Sequence, residues 1–198
     1  DHTLALGATP TGHEHTWRPE FDVDVAFNPN SAAIGVNRVE GITFTVLSPS
    51  STAGGSFVAG QGSAVVLDGR FDAELGNSRS LFVNLGGGAS PLSGGSRAGQ
   101  WMLLEQAIAE ARGNGDSLLT RAGRTTLARY LAGGRVVFNV DRAADIRQVL
   151  AFARRHGFKP VISGGAEAWM VAAELKASGA TVLLDALANL PSNFDSLG

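Results

Sequence analysis

The chain has 198 residues, 44% of them hydrophobic and 17% charged, against roughly 25% charged in an average soluble domain, so one domain with a sizeable core is expected and a disordered chain is excluded. A net charge of −2 without any Lys/Arg cluster argues against a nucleic-acid or anionic-membrane surface. No apolar run approaches the roughly 20 residues of a membrane-spanning helix, and with no Cys there are no disulfides, thiolate ligands or thiol nucleophiles.

Residues 1–40 form a polar, loop-rich lead-in, with His13-Glu14-His15-Thr16-Trp17-Arg18-Pro19 and Phe27-Asn28-Pro29-Asn30 as turn-rich stretches. The chain starts at Asp1-His2-Thr3 without Met, which reads as a segment of a longer polypeptide. Residues 41–95 carry strands and Gly/Ser loops. Gly41-Ile42-Thr43-Phe44-Thr45-Val46-Leu47 is β-branched and aromatic and reads as a buried strand ended by Ser48-Pro49. Val65-Val66-Leu67 and Leu81-Phe82-Val83-Asn84-Leu85 are two more. The stretch from Gly86 to Gly99 reads as a loop over a site or a flexible segment.

Residues 96–133 are helical in pattern, with one helix from Gln100 to Ala111 and a second from Ser117 to Ala132. Trp101 and Trp169 read as core or shell residues of their helices. From 134 to 198 the chain alternates short apolar strands with helices. Val136-Val137-Phe138 is followed by a helix carrying Ile146, Val149, Leu150 and Ala153, which Gly157 stops. Pro160-Val161-Ile162 leads to a helix from Ala166 to Lys176, and Thr181-Val182-Leu183-Leu184 closes the series. Strands starting at positions 136, 160 and 181 are 24 and 21 residues apart, each pair joined by one helix. Consecutive βαβ units of this kind make a parallel sheet covered by helices, as a (β/α) barrel or a doubly wound sheet.

Sites in both architectures lie beyond the carboxyl ends of the strands. The residues there are Asn139 and Asp141 after the first of these strands, Ser163, Gly164, Gly165 and Glu167 after the second, and Asp185 after the third. Asp141 reads first as a cap for the next helix, with an acid or base in a site as the alternative. Gly164-Gly165 could offer backbone N–H groups to a phosphate or carboxylate, or simply let the helix pack closely. No GxGxxG opens a helix, no phosphate-loop ending is present, and Ser163 stands in no GxSxG elbow. His13 and His15 have the i, i+2 spacing of a ligand pair on a strand. They follow the turn sequence Ala8-Thr9-Pro10-Thr11-Gly12, however, which favours a solvated loop. His156 sits at a helix C-terminus, where positive charge suits the dipole.

The segments Gly41 to Pro49, Gly60-Gln61-Gly62-Ser63-Ala64-Val65-Val66 and Val136 to Pro191, taken in order, resemble the amidohydrolase superfamily, in particular its imidazolonepropionase-like branch. Asn139-Val140-Asp141-Arg142-Ala143-Ala144-Asp145-Ile146 is similar to that branch's His-x-His-Arg-Ala-x-Asp-Ile segment. Ser163-Gly164-Gly165-Ala166-Glu167-Ala168-Trp169 is similar to the next strand-to-helix junction. The resemblance covers most of residues 41–198. It implies a TIM-type (β/α)8 barrel, of which residues 1–198 are an incomplete part, and hydrolysis of amide or cyclic amide C–N bonds. Zinc or another divalent ion is the family norm, held by His, a carboxylated Lys or Glu, and Asp.

In this chain Asn139, Asp141 and Gly164 stand where that family places His, and neither Lys159 nor Lys176 is placed to bridge metals. No metal is therefore expected on this chain. The resemblance leaves Asp141 as the catalytic candidate, and Asn139, Ser163, Gly164, Gly165, Glu167 and Asp185 as ligand-binding candidates. The alternatives are a metal-free small-molecule-binding or structural barrel, and a phosphate-binding barrel enzyme. The expected partners are a small-molecule substrate, with neither nucleic acid nor membrane. Because part of a barrel leaves sheet edges open, an oligomer or association with the remainder of a longer chain is also expected.

Overall fold

The computed structural model describes residues 17–51 and 56–184. The apolar runs of the sequence become strands, and the longest lie side by side. β1 (Phe44–Val46) and β3 (Ala64–Val66) form an antiparallel pair of their own. β2 (Val58–Gly62), β4 (Ser80–Asn84), β5 (Arg135–Val140), β6 (Lys159–Gly164) and β7 (Thr181–Leu184) form a five-stranded sheet in the order β2-β4-β5-β6-β7. β4 to β7 are parallel, with Val83 opposite Phe138, Val137 opposite Val161 and Ile162 opposite Val182. β2 is antiparallel to β4, with a register shift between Val58 and Gly60. The three parallel strands expected over 136–185 are thus present through Leu184, and Asp185 lies outside the described residues.

Side-chain alternation sorts the sheet into two faces. Leu81, Val83, Val136, Phe138, Val140 and Ile162 face the helices α2 (Arg97–Ala111), α3 (Arg121–Leu131), α4 (Ala143–His156) and α5 (Ala172–Ser178). There they meet Leu104, Ile108, Leu127, Ile146, Val149, Phe152 and Leu175 in one core. Phe138 stacks on Phe158 at 5.8 Å, and Phe152 stands edge-on to Phe158 at 5.6 Å. On the opposite face, among the described residues, the apolar core is the small cluster Ala59, Phe82, Val137 and Val161.

Helix starts follow their caps. Ser96 accepts the Gly99 N–H at the start of α2, and Thr120 accepts the Gly123 N–H at the start of α3. The second expected helix therefore begins at Arg121 and not at Ser117. The N–H groups of Ser117, Leu118 and Leu119 are drawn instead to the buried carboxylate of Glu110, at 2.8–3.2 Å. The last expected helix is also shorter: Ala168–Val171 is a 3-10 turn, and α5 starts at Ala172.

Three features depart from the sequence reading. β1 is exposed, not buried, with Phe44 at 57% and Val46 at 44%, because it pairs only with β3 and stands apart from the main sheet. β2 was hidden by its glycines, which the packing requires: a Cβ on Gly62 would lie 2.0 Å from the Leu47 carbonyl oxygen. α1 (Ala32–Val39) buries no residue, so no core-facing stripe announces it. Among the described residues no helix is long and apolar enough to cross a membrane.

Candidate functional site at the strand carboxyl ends

The parallel register brings Asn84 of β4, Asn139 of β5 and Ser163 of β6 into one row. Alternation sets this row on the face away from the helices, beyond Phe82, Val137 and Val161. The Asn139 Nδ2 donates to Asn84 Oδ1. The Asn84 Nδ2 donates to Ser51 Oγ at 2.7 Å, and that hydroxyl donates to the Ser56 carbonyl at 2.8 Å. Each side chain is half-buried. Each amide has a second N–H and further acceptor capacity beyond these bonds. Sequence reasoning found Asn139 and Ser163 but missed Asn84 and Ser51. Asn84 carries the same signal as Asn139, an amide at the end of an apolar run. Ser51 joins the row only through tertiary structure.

The next residues tie two strand-to-helix turns together. The Asp141 carbonyl accepts the Glu167 N–H at 2.9 Å, and its Oδ1 accepts the Ala166 N–H at 3.4 Å. The Gly165 N–H goes to the Val140 carbonyl at 2.9 Å. In return, Glu167 Oε2 accepts the Ala143 N–H at the start of α4, at 2.8 Å. Asp141 is therefore not the cap of α4. Arg142 takes the N-cap position and makes no side-chain capping bond to the helix, and Glu167 supplies the missing acceptor from the neighbouring turn. The N–H groups of Gly165, Ala166 and Glu167 are all committed, and the Asp141 carboxylate stands beside them, so they are not on offer to a phosphate. Gly164 has φ +91°, and a Cβ there would lie 2.6 Å from Asp141 Oδ1. The carboxylate fills the space that a side chain at 164 would need.

The turn after β4 is fixed from the helix side. The buried amide of Gln100 accepts the Gly86 N–H at 3.1 Å and donates to the Gly86 carbonyl at 2.9 Å. Ala89 and Leu92 then anchor the glycine-rich stretch on the helix-side core. A 3-10 turn over Ser90–Ser93 sits where the sequence suggested a loop over a site or a flexible segment. Trp101 packs edge-on to Phe152 at 5.5 Å, as a shell residue should. Trp169 is 70% exposed and is not a core residue, because its helix begins only at Ala172. Lys159 starts β6 at the end of the sheet remote from the row, and Lys176 lies in the last turn of α5. His13, His15 and Asp185 lie outside the described residues.

A second polar cluster, unseen in the sequence, centres on Arg79. Its guanidinium pairs with Asp22, with Asp24 at 3.4 Å and with Glu74 at 3.6 Å. Burial pushes the Asp24 carboxyl up from its ordinary range, against the bonds from Ser63 that pull it down. The guanidinium already occupies the middle of this cluster, which ties the 3-10 turn Val23–Ala26 to the start of β4. Among the described residues no three His, Asp or Glu side chains gather as a metal-binding group.

A largely parallel sheet covered by helices defines an α/β protein, and in open sheets of this class ligands bind beyond the carboxyl ends of the strands, where this chain carries its polar row. Neither the models of known protein families nor the curated proteins give a match to this sequence. The fold is similar to the crystal structure of an amidohydrolase from Thermotoga maritima MSB8, with a TM-score of 0.80 and 18% sequence identity. The match covers 98% of this chain and 57% of that one, so the chain spans little more than half the length of that protein. Over the matched length the two chains share an α/β fold.

Proposed function

We propose that the chain is part of a (β/α)8 barrel of the imidazolonepropionase-like amidohydrolase type, acting on amide or cyclic amide C–N bonds. In this reading its strand-end row binds the substrate. The observation that carries it is the row Ser51–Asn84–Asn139 at the carboxyl ends of a parallel sheet, with Ser163 and Asp141 beside it. Amide and hydroxyl groups with spare donors and acceptors match a neutral ligand that carries both N–H and C=O. Asp141, the carboxylate next to the row, is the acid or base candidate. Glu167 and the Gly164-Gly165 turn position it.

The residues present do not fit the family's divalent ion. Asn139 offers only a neutral amide, held to Asn84 through its Nδ2, Gly164 has no side chain, and the Asp141 carboxylate occupies the space beside Gly164. Asn is in any case a poor zinc ligand. No step is therefore assigned to a metal on these residues. The crowding of Asp141 against Gly164 also favours a second reading, a metal-free barrel that binds a small molecule without hydrolysing it. In both readings the edge strand β7, with Leu183 and Leu184 exposed, is covered by the remainder of a longer chain or by another subunit.

Calorimetry on the metal-stripped chain with a cyclic amide such as hydantoin tests the proposal. Binding is expected without added metal, weakened about tenfold or more in Asn139→Ala, which removes roughly 1.4 kcal/mol or more of interaction. Turnover lost in Asp141→Asn supports the hydrolase, and binding without turnover supports the second reading. Zinc bound stoichiometrically through Asp141, or no binding at all, would overturn both.

A further inference from the structure

An imidazole is packed into the contact between the helices α2 and α4, beside the Trp101–Phe152 ring pair and the Arg97–Asp145 and Arg155–Glu105 ion pairs. His156 lies in the last turn of α4 with its side chain 7% exposed, and its Nε2 is 2.9 Å from Glu105 Oε2 on α2. Arg155 holds the other oxygen, Glu105 Oε1, at 3.1 Å. The Phe152 ring stands edge-on to the imidazole, with centroids 4.6 Å apart. The second ring nitrogen, Nδ1, is buried and has no hydrogen-bond partner. A histidine placed only to complement the helix dipole would face water. This one is packed into the contact between two helices.

We propose that this contact is an acid-sensitive latch between α2 and α4, closed when the imidazole is neutral and loosened when it takes up a proton from solvent. In the neutral ring, Nε2–H donates to Glu105 and Nδ1 keeps a lone pair. Protonation places a hydrogen on Nδ1 that finds no acceptor in the closed contact, and a buried donor left unmade is costly. The charged ring is also shielded from water and stands near two guanidinium groups, Arg155 on α4 and Arg112 just beyond α2. Glu105 attracts it, but Glu105 is already shared with Arg155.

These groups set the direction of the titration. Burial pushes the His156 pKa down, Glu105 pulls it up, and Arg112 and Arg155 push it down again, leaving it below the ordinary imidazole value. A base whose pKa is lower in the closed state stabilises that state fully above about pH 6.5 and progressively less as the pH falls below it. The effect has a route into the sheet. Gly157 follows His156 directly, then Phe158, which stacks on Phe138, and then β6.

The test is an NMR titration of the imidazole signals of the full chain from pH 8 to pH 5, with amide hydrogen exchange followed at each pH. The signal missing in His156→Gln is expected to titrate below 6.5. Protection in the last turn of α4 should fall with acid, by up to about tenfold for each unit by which that midpoint lies low. The same residues should show no such fall in His156→Gln. Glu105→Gln, which removes the attracting carboxylate, should move the midpoint lower still, and it decides the matter if His156→Gln does not fold. A midpoint at or above 6.5, or an equal loss of protection in His156→Gln, would overturn the latch.

Discussion

The two faces of the five-stranded sheet are built from the same strands and have opposite characters. The helix-side face is a continuous core in which Phe138, Ile146, Phe152 and Ile162 are almost wholly buried. Among the described residues the other face buries an apolar cluster of Ala59, Phe82, Val137 and Val161, and then turns polar at Asn84, Asn139 and Ser163. One residue of offset along β5 separates Phe138, which stabilises the fold, from Asn139, which presents an amide. Alternation along a strand divides the residues between a packed core and the polar row proposed to bind a ligand.

If that division holds, damage to the helix-side face should cost the most. Phe138→Ala should lose about 3–5 kcal/mol, because it removes a stacked ring and leaves a cavity. Urea unfolding measures this, and a loss below about 1 kcal/mol would show that the face is not close-packed. Glu110→Ala comes next, at roughly 2 kcal/mol, since it strands the N–H groups of Leu118 and Leu119. Burial pushes the Glu110 carboxyl up, but the bonds from Leu119, Gln106, Leu118 and Ser117 outweigh it and hold it below its ordinary range. Its contribution is therefore present above the ordinary carboxyl value and lost as the pH falls through the lowered one. Acid unfolding of the variant should be correspondingly flatter in that window.

The turn between the faces should respond at an intermediate level. Gly164→Ala meets both a φ of +91° and the Asp141 carboxylate, and should cost about 1–3 kcal/mol. Combined with Asp141→Gly it should recover part of that loss, and a double-mutant cycle reads the coupling. Additive losses would mean that backbone strain alone is at work. The smallest effect belongs to the polar row. Asn84→Ala and Asn139→Ala should each change stability by about 1 kcal/mol or less, because the row is half-exposed. A larger loss would make the row a structural device and not a binding surface.

The sequence made the parallel half legible because β5, α4, β6 and β7 combine apolar runs with clear stops such as Gly157 and Gly179. β2 was illegible because close approaches at Gly60 and Gly62 demanded glycine where strand formers would have given a signal. β1 misled for the opposite reason: a strongly β-branched run is silent about whether anything covers it. At the site, position after a strand end was enough to nominate Asn139, Asp141, Ser163 and Glu167. The partners were not legible, since Asn84–Asn139 and Glu167–Ala143 link residues 55 and 24 positions apart. The exchange in which Glu167 caps α4 in place of Asp141 depends on two turns meeting in space.

In the proposed function the strand-end row is a binding surface which needs no metal on these residues. The most direct test is the perturbation of the Asn84 and Asn139 side-chain amide signals by hydantoin in the EDTA-treated full chain. Shifts centred on those two amides and on the Gly164–Glu167 backbone, saturating with hydantoin and present without metal, are the predicted result. Shifts that appear only after zinc is added, or that leave both amides unmoved, would contradict it.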